Sequence, residues 1–251
     1  MATVTGGQLV AKFAGHAGIK ALFTLCGGHI MDIYNGCVEE GIRVIDVRHE
    51  QSAAHAADAW TRLTGVPGLA AVTAGTGVTD SVTGVATGFR AQIPMLLIGG
   101  QAPWRNLLKG GLQELNHVDL MKPITKFSAT VFETERIPEY MAIALRECYS
   151  GRPGPSFLEI PNDVLDRKVE ESAVAFPTDY RAMGRTRGDA AQIERCIQLM
   201  EKAKRPAILA GTQVWHCRAT ERLDALVRTT GIPPYLTRAA SGALPSDLEC
   251  H

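Results

Sequence analysis

Leu69-Ala70-Ala71-Val72-Thr73-Ala74-Gly75-Thr76-Gly77 opens the segment that decides the fold. A short apolar run without polar alternation ends in a glycine-rich turn, and a helical pattern follows over residues 78–91. A second run, Pro94-Met95-Leu96-Leu97-Ile98, then closes on Gly99-Gly100. Strands that are apolar on both sides are buried on both faces, and strands joined through a helix pair in parallel. The segment therefore predicts a strand–helix–strand unit, with strands at 69–73 and 94–98.

The same alternation extends outward in both directions. Residues 21–26 form an apolar run ended by Gly27-Gly28, residues 30–40 have a helical stripe stopped by Gly41, and residues 43–48 read as a strand. An Ala-rich helix over 51–63 stops at Gly65. Upstream, Thr5 is a plausible N-cap for a helix with Leu9, Val10, Phe13 and Ala17 on one stripe. Downstream, strands are expected at 124–131 and 156–160 around a helix at 137–149, while residues 102–121 read as irregular. The fold class expected is α/β, a parallel sheet with helices on both faces. Ligands of such sheets bind beyond the carboxyl ends of the strands. Gly27-Gly28-His29, His49-Glu50, Gly75-Thr76-Gly77 and Gly99-Gly100-Gln101 all fall at those ends.

Composition excludes several alternatives. Lys plus Arg and Asp plus Glu both number 26. This zero net charge argues against a nucleic-acid binder, which needs a basic excess to meet phosphate. With 45% hydrophobic and 21% charged residues, the chain is not of disordered composition. No run approaches the roughly 20 apolar residues of a membrane span. Lys12 and His16 interrupt the N-terminal apolar stretch, so it does not read as a signal peptide. Six cysteines without a Cys-x-x-Cys pair, Cys250 among them, read as reduced thiols in a cytoplasmic protein. His29, His49 and His55 lie at no zinc-ligand spacing, so no metal ligands are expected in this chain.

The expected organisation is a ligand-binding domain at 1–168, a linker rich in charge, Pro and Gly at 169–188, and a second alternating set at 189–251. That set holds helices at 190–204 and 219–230 and strands at 206–210 and 234–237. Two parallel strands cannot bury both faces, so residues 189–251 are expected to be an incomplete α/β domain. A truncated reading frame and a chain that needs a partner both fit that expectation.

At the strand ends, Gly75-Thr76-Gly77-Val78-Thr79-Asp80 partly matches a dinucleotide fingerprint. Asp80 stands where the third glycine belongs, and a carboxylate there repels a pyrophosphate. Glu50 has two readings: a carboxylate at a helix start, favoured by the macrodipole and paired with Arg48, or one held in a crevice against a ligand. Ser52, Ala53, Ala54, Ala56 and Ala57 suit packing of the same helix on a neighbouring chain. His29 reads as a turn residue or a catalytic imidazole, and Gln113, taken alone, as a polar loop residue.

Together these residues resemble the N-terminal pyrimidine-binding domain of thiamine-diphosphate-dependent enzymes. The nearest patterns are those of benzaldehyde lyase, acetolactate synthase large subunits and 2-hydroxyacyl-CoA lyases. The resemblance rests on Gly27-Gly28-His29-Ile30, Asp46-Val47-Arg48-His49-Glu50-Gln51, Val72-Thr73-Ala74-Gly75-Thr76-Gly77, Leu112-Gln113-Glu114, Pro123-Ile124-Thr125-Lys126 and Phe157-Leu158-Glu159-Ile160-Pro161-Asn162-Asp163. It implies that Glu50 hydrogen-bonds the cofactor's aminopyrimidine nitrogen and favours the imino tautomer that activates the thiazolium. It further implies that His29 and Gln113 reach the reacting carbon as catalytic residues, and that Gly28, Gly75, Thr76 and Gly77 border the pyrimidine. Thr76 and Asp80 depart from the Pro and Asn commonest there.

The resemblance also implies a small 2-keto acid or 2-hydroxy carbonyl substrate and a homodimer or homotetramer. Diphosphate and Mg2+ would be held by a Gly-Asp-Gly motif of a further domain, of which Gly188-Asp189-Ala190 is a chance fragment. The isolated chain is accordingly expected to be nearly inactive. FAD binding and the choice between lyase and acetolactate synthase chemistry stay open. A non-catalytic pairing module and a flavodoxin-like nucleotide binder are the alternatives.

Overall fold

A computed structural model describes residues 2–181 and 187–246. The chain divides into two compact units, Met1–Ala182 and Met183–His251. In the first, the elements run β1 (Thr3–Thr5), α1 (Gly6–His16), β2 (Ala21–Thr24), α2 (Met31–Glu39), β3 (Arg43–Asp46), α3 (Glu50–Thr64), β4 (Gly68–Val72) and α4 (Thr76–Ala91). They continue with β5 (Met95–Gln101), α5 (His117–Met121), β6 (Phe127–Thr130), α6 (Ile137–Tyr149), β7 (Ser156–Pro161), α7 (Asn162–Asp166) and β8 (Lys168–Glu170).

Six strands form one parallel sheet in the order β3-β2-β4-β5-β7-β6. Alternate residues of each strand serve opposite faces. Leu69, Ala71, Leu96, Ile98, Leu158 and Ile160 join Leu9, Phe13, Ile33 and Met141 of α1, α2 and α6 in one core layer. Ala70, Val72, Met95, Leu97 and Phe157 join Ala53, Ala54 and Ala57 of α3 and Val78 and Val85 of α4 in the other. The doubly covered parallel sheet expected from the uninterrupted apolar runs is the architecture found.

Local chemistry sets the helix ends. Thr5 caps α1 in a reciprocal capping box with Gln8, which satisfies two backbone donors that the helix leaves unpaired. The His49 ring caps α3, its Nδ1 accepting from the Gln51 N–H at 3.2 Å. Gly65 ends that helix at φ +71°, in the left-handed conformation that glycine takes without a Cβ penalty. Three small residues of α3 pack inside the unit. Ala53, Ala54 and Ala57 are fully buried, and a Cβ on Gly84 of α4 would lie 2.5 Å from the Ala54 Cβ. Close packing of α3 on α4 thus accounts for these three of the five small residues that suited a neighbouring chain, while Ser52 is exposed and Ala56 half-buried.

The first unit runs on past residue 168, where the sequence places the start of a linker. β8 pairs antiparallel with β1, and Phe176 and Tyr180 pack against His16 and Phe13. Residues 182–186 of that linker lie outside the described residues, as do 247–251 with Cys250.

The second unit holds α8 (Ala190–Lys202), β9 (Ile208–Ala210), α9 (Gln213–His216), α10 (Thr220–Thr230) and β10 (Pro234–Leu236), with β9 and β10 parallel. Asp189, part of the expected motif fragment, caps α8 by accepting from the Gln192 N–H at 2.9 Å. Among the described residues, no helix is long and apolar enough to cross a membrane.

Candidate functional site

The chain leaves β2 toward β3 on one side and returns to β4 on the other, so the ends of β2 and β4 flank the switch point of the sheet. Three segments converge there: residues 27–30 after β2, Glu50 opening α3 after β3, and residues 73–77 after β4.

Thr73 is the hinge of this cluster. Its Oγ1 lies 2.9 Å from the His29 Nδ1, and both side chains are buried. A Cβ on Gly27 would lie 2.3 Å from the Thr73 Cβ, and one on Gly77 would lie 2.9 Å from its Cγ2. Gly77 also lets α4 approach Glu50, since that same Cβ would stand 3.4 Å from the Glu50 Oε1. Sequence alone assigns Thr73 no side-chain role. Its available signal is its place as the last residue of the strand run before the turn.

Glu50 is 8% exposed, and its carboxylate has no hydrogen-bond partner among the described residues. Arg48, the partner considered from sequence, instead pairs with Asp46 at the surface. The Glu50 oxygens are not among the sealed, unsatisfied polar atoms of the described residues, so the carboxylate opens onto the rim rather than into the core. Burial pushes the His29 imidazole below its ordinary value of 6.5, against the opposing pull of the Leu112 carbonyl. Desolvation disfavours the charged ring, which is why the direction is downward.

Gln113 has left-handed backbone, φ +58°, and sits directly over the turn. A Cβ on Gly75 would lie 2.8 Å from both the Gln113 Cβ and its carbonyl oxygen. The Gln113 Nε2 donates to the Thr76 Oγ1 at 3.2 Å, a contact that a proline at position 76 could not make. Gly28 is exposed, with nothing within 4 Å of where its Cβ would lie. The structure thus brings Glu50, His29, Gly75, Thr76, Gly77 and Gln113 to one rim and leaves Gly28 beside it.

Behind the rim lies a polar network that sequence reasoning missed. His117 is fully buried on α5, with its Nδ1 2.6 Å from the Glu159 Oε2 and its Nε2 accepting from the Gly75 N–H at 2.7 Å. Glu159 also accepts from the Gln101 Nε2 at 2.9 Å and the Thr130 Oγ1 at 2.8 Å. A glutamate amid the apolar run of β7 was the available signal.

Among the described residues, one set of groups could hold a cation: His49, Glu50 and Asp80 offer ligand atoms within 4.8 Å of one another. The His49 Nδ1 is already used in capping α3. A neutral ring whose Nδ1 accepts carries its proton on Nε2, and that nitrogen lies 3.7 Å from the Asp80 Oδ2. The proton, rather than a lone pair, faces the carboxylates.

A parallel α/β domain with an unpartnered carboxylate and a glycine turn at its switch point is a domain that binds a small-molecule cofactor or substrate. The family model "Thiamine pyrophosphate enzyme, N-terminal TPP binding domain" matches residues 4–120, and the central domain of the same enzymes matches residues 193–251. "Probable acetolactate synthase" of Mycobacterium bovis is 38% identical over 246 residues, which is 98% of this chain and 45% of that protein. Human "2-hydroxyacyl-CoA lyase 2" is 34% identical over 279 residues, 98% of this chain and 44% of that protein. "2-Hydroxyacyl-CoA lyase" of Arabidopsis thaliana is 33% identical over 252 residues, with the same two shares. The chain belongs to the thiamine pyrophosphate (thiamine diphosphate) enzymes, and it spans a little under half the length of these relatives.

Proposed function

We propose that this chain supplies the pyrimidine-binding half-site of a thiamine-diphosphate-dependent lyase or carboligase acting on small 2-keto acids or 2-hydroxy carbonyl compounds. The observation that carries it is the buried Glu50 carboxylate, without a partner, facing the glycine turn at the sheet's switch point. The residues fit an aminopyrimidine. A carboxyl group at that position shares a proton with a ring nitrogen, and Gly75 and Gly77 leave room for a flat ring against the backbone. When bound, the cofactor supplies a thiazolium carbon that stores the electron pair of the cleaved bond.

Glu50 holds the proton at the pyrimidine nitrogen in this assignment. His29, shifted toward its neutral form, offers a base or donor to the substrate, and Gln113 presents its amide over Thr76. Thr76 borders the ring, and Gly28 lines its approach. Diphosphate and Mg2+ would be bound by residues outside this sequence, since Asp189 serves as a helix cap. Pairing of two or four copies would bring such residues to the rim. The named relatives divide between synthase and lyase, and the histidine at position 29 favours the lyase side. A cytoplasmic location is consistent with the free thiols Cys26, Cys37, Cys148, Cys196 and Cys217.

The test is a titration of the 15N-labelled chain with thiamine diphosphate and Mg2+, with and without an added diphosphate-binding domain. Amide shifts at residues 73–77 are expected. Glu50→Gln is expected to weaken binding at least about tenfold, the effect of losing one charge-assisted hydrogen bond. Equal affinity of wild type and Glu50→Gln overturns the assignment, and flavin retained on purification points to the nucleotide-binding alternative.

A further inference from the structure

Gly75 is the pivot of the rim. Its backbone sits at φ +61° and ψ −110°. Glycine alone adopts that conformation readily, and such a turn persists only when its surroundings hold it. The Gly75 N–H cannot join the ladder of α4, because it lies at the N-cap, where backbone donors lack helical partners. It donates instead to the Nε2 of His117, which stands forty-two positions along the chain.

That contact fixes the histidine's chemistry. A ring nitrogen that accepts carries no proton. The His117 proton therefore sits on Nδ1 and is donated to the Glu159 Oε2. Glu159 is in turn held by Thr130 and Gln101, while the second N–H of the Gln101 amide goes to the Leu115 carbonyl at 2.7 Å. The 3.2 Å approach of the Gln101 Nε2 to the His117 Nδ1 is then only proximity, because both atoms are donors. Donation converges on the carboxylate from both sides, from Thr130 on one and from Gly75 through His117 on the other, and the second arm ends on the turn that faces Glu50.

The geometry points to a positioning relay: Glu159 fixes the Nδ1–H tautomer of His117, and His117 thereby clamps the Gly75-Thr76-Gly77 turn in the shape that receives the aminopyrimidine ring. This inference rests on the function proposed above. His117 and Glu159 touch no part of the rim's opening, so they act through Gly75 rather than as catalytic residues. Acidic and basic groups elsewhere take no part, and the relay requires no change of protonation.

The experiment compares His117→Leu, which removes the acceptor, with His117→Gln, whose amide has an oxygen for Gly75 and an N–H for Glu159. His117→Leu is expected to speed amide exchange at Gly75 at least about a hundredfold and to weaken thiamine diphosphate binding at least about tenfold, and His117→Gln to restore both to within about threefold. Long-range 15N–1H correlation on wild-type protein is expected to place the His117 proton on Nδ1, a readout that needs no variant to fold. A proton on Nε2, normal binding by His117→Leu, or a His117→Gln variant no better than the Leu variant overturns the relay. Normal binding by His117→Leu beside weakened binding by Glu50→Gln removes the relay and leaves the proposed function standing. Wild-type protein that shows no thiamine diphosphate shifts overturns both.

Discussion

Two polar clusters meet at Gly75, and they are built on opposite terms. Behind the turn, Glu159, His117, Gln101 and Thr130 partner one another within the protein, and the carboxylate takes three side-chain hydrogen bonds. In front of it, Glu50 is buried to a similar degree, 8% against 6% exposed for Glu159, yet its carboxylate takes none among the described residues. Burial alone therefore does not distinguish architecture from function in this domain. Satisfaction does: the partnered carboxylate is the one to which we assign the shape of the turn, and the unpartnered one is the one to which we assign a ligand.

The largest expected effect tests that distinction directly. Glu159→Leu strips the acceptor from the His117 Nδ1–H, the Thr130 hydroxyl and one Gln101 N–H. Removing one partner of such a network is expected to cost about 3 kcal/mol of unfolding free energy in urea titration. Glu50→Gln removes a charge with no partner and is expected to shift stability by less than about 0.5 kcal/mol, while cofactor binding is lost. Comparable stability losses in the two variants would dissolve the contrast.

A smaller effect separates Gly77 on the rim from Gly28 beside it. At position 77 a Cβ would lie 2.9 Å from the Thr73 Cγ2. That side chain is stiff at χ1, and its hydroxyl is engaged with His29. Gly77→Ala is expected to cost about 1–2 kcal/mol and to displace Thr73 or Glu50, visible as altered shifts at His29. At position 28 the added methyl meets open space. Gly28→Ala is accordingly expected to change stability by no more than about 0.5 kcal/mol. Any loss of thiamine diphosphate binding in Gly28→Ala then reports contact with the ligand itself. Thermal unfolding of the pair, read beside the same titration, decides whether the rim is as finely fitted as the network behind it.

What the sequence made legible follows the range of each interaction. Apolar runs such as residues 69–73 and 94–98 declare strands because burial on both faces is a local demand, and the glycine turns mark their ends. Short elements escape such a reading. β1 and β8 have three residues each and are held by pairing across the whole unit, and α5 lies within a stretch that reads as irregular. The site divides in the same way. Glu50, His29 and the 75–77 turn are readable because strand ends project toward ligands. The partnership of His117 with Gly75 and Glu159 joins residues forty-two positions apart on either side, and no local pattern encodes it. In the second unit, Ile193 and Ile197 lie a helical turn apart on α8, the spacing that predicts a helix. Both are about half exposed, so the stripe tells of a helix and not of a core.

The smallest effect concerns pH and places His29 between the two clusters. It is buried like His117, but its partners are the Thr73 hydroxyl and the Leu112 carbonyl rather than a carboxylate. Burial holds its folded-state value below 6.5, so near and below that pH the unfolded chain binds more protons than the folded one at this site. The stabilisation from keeping His29 neutral is full above pH 6.5 and shrinks as pH falls from 6.5 toward the lowered folded value. His29→Gln removes that slope. Urea titrations across this window are expected to show wild type losing up to about 1 kcal/mol more than the variant. Parallel curves would mean that His29 is held as indifferently to its charge as a surface residue, and the rim would lose its neutral imidazole.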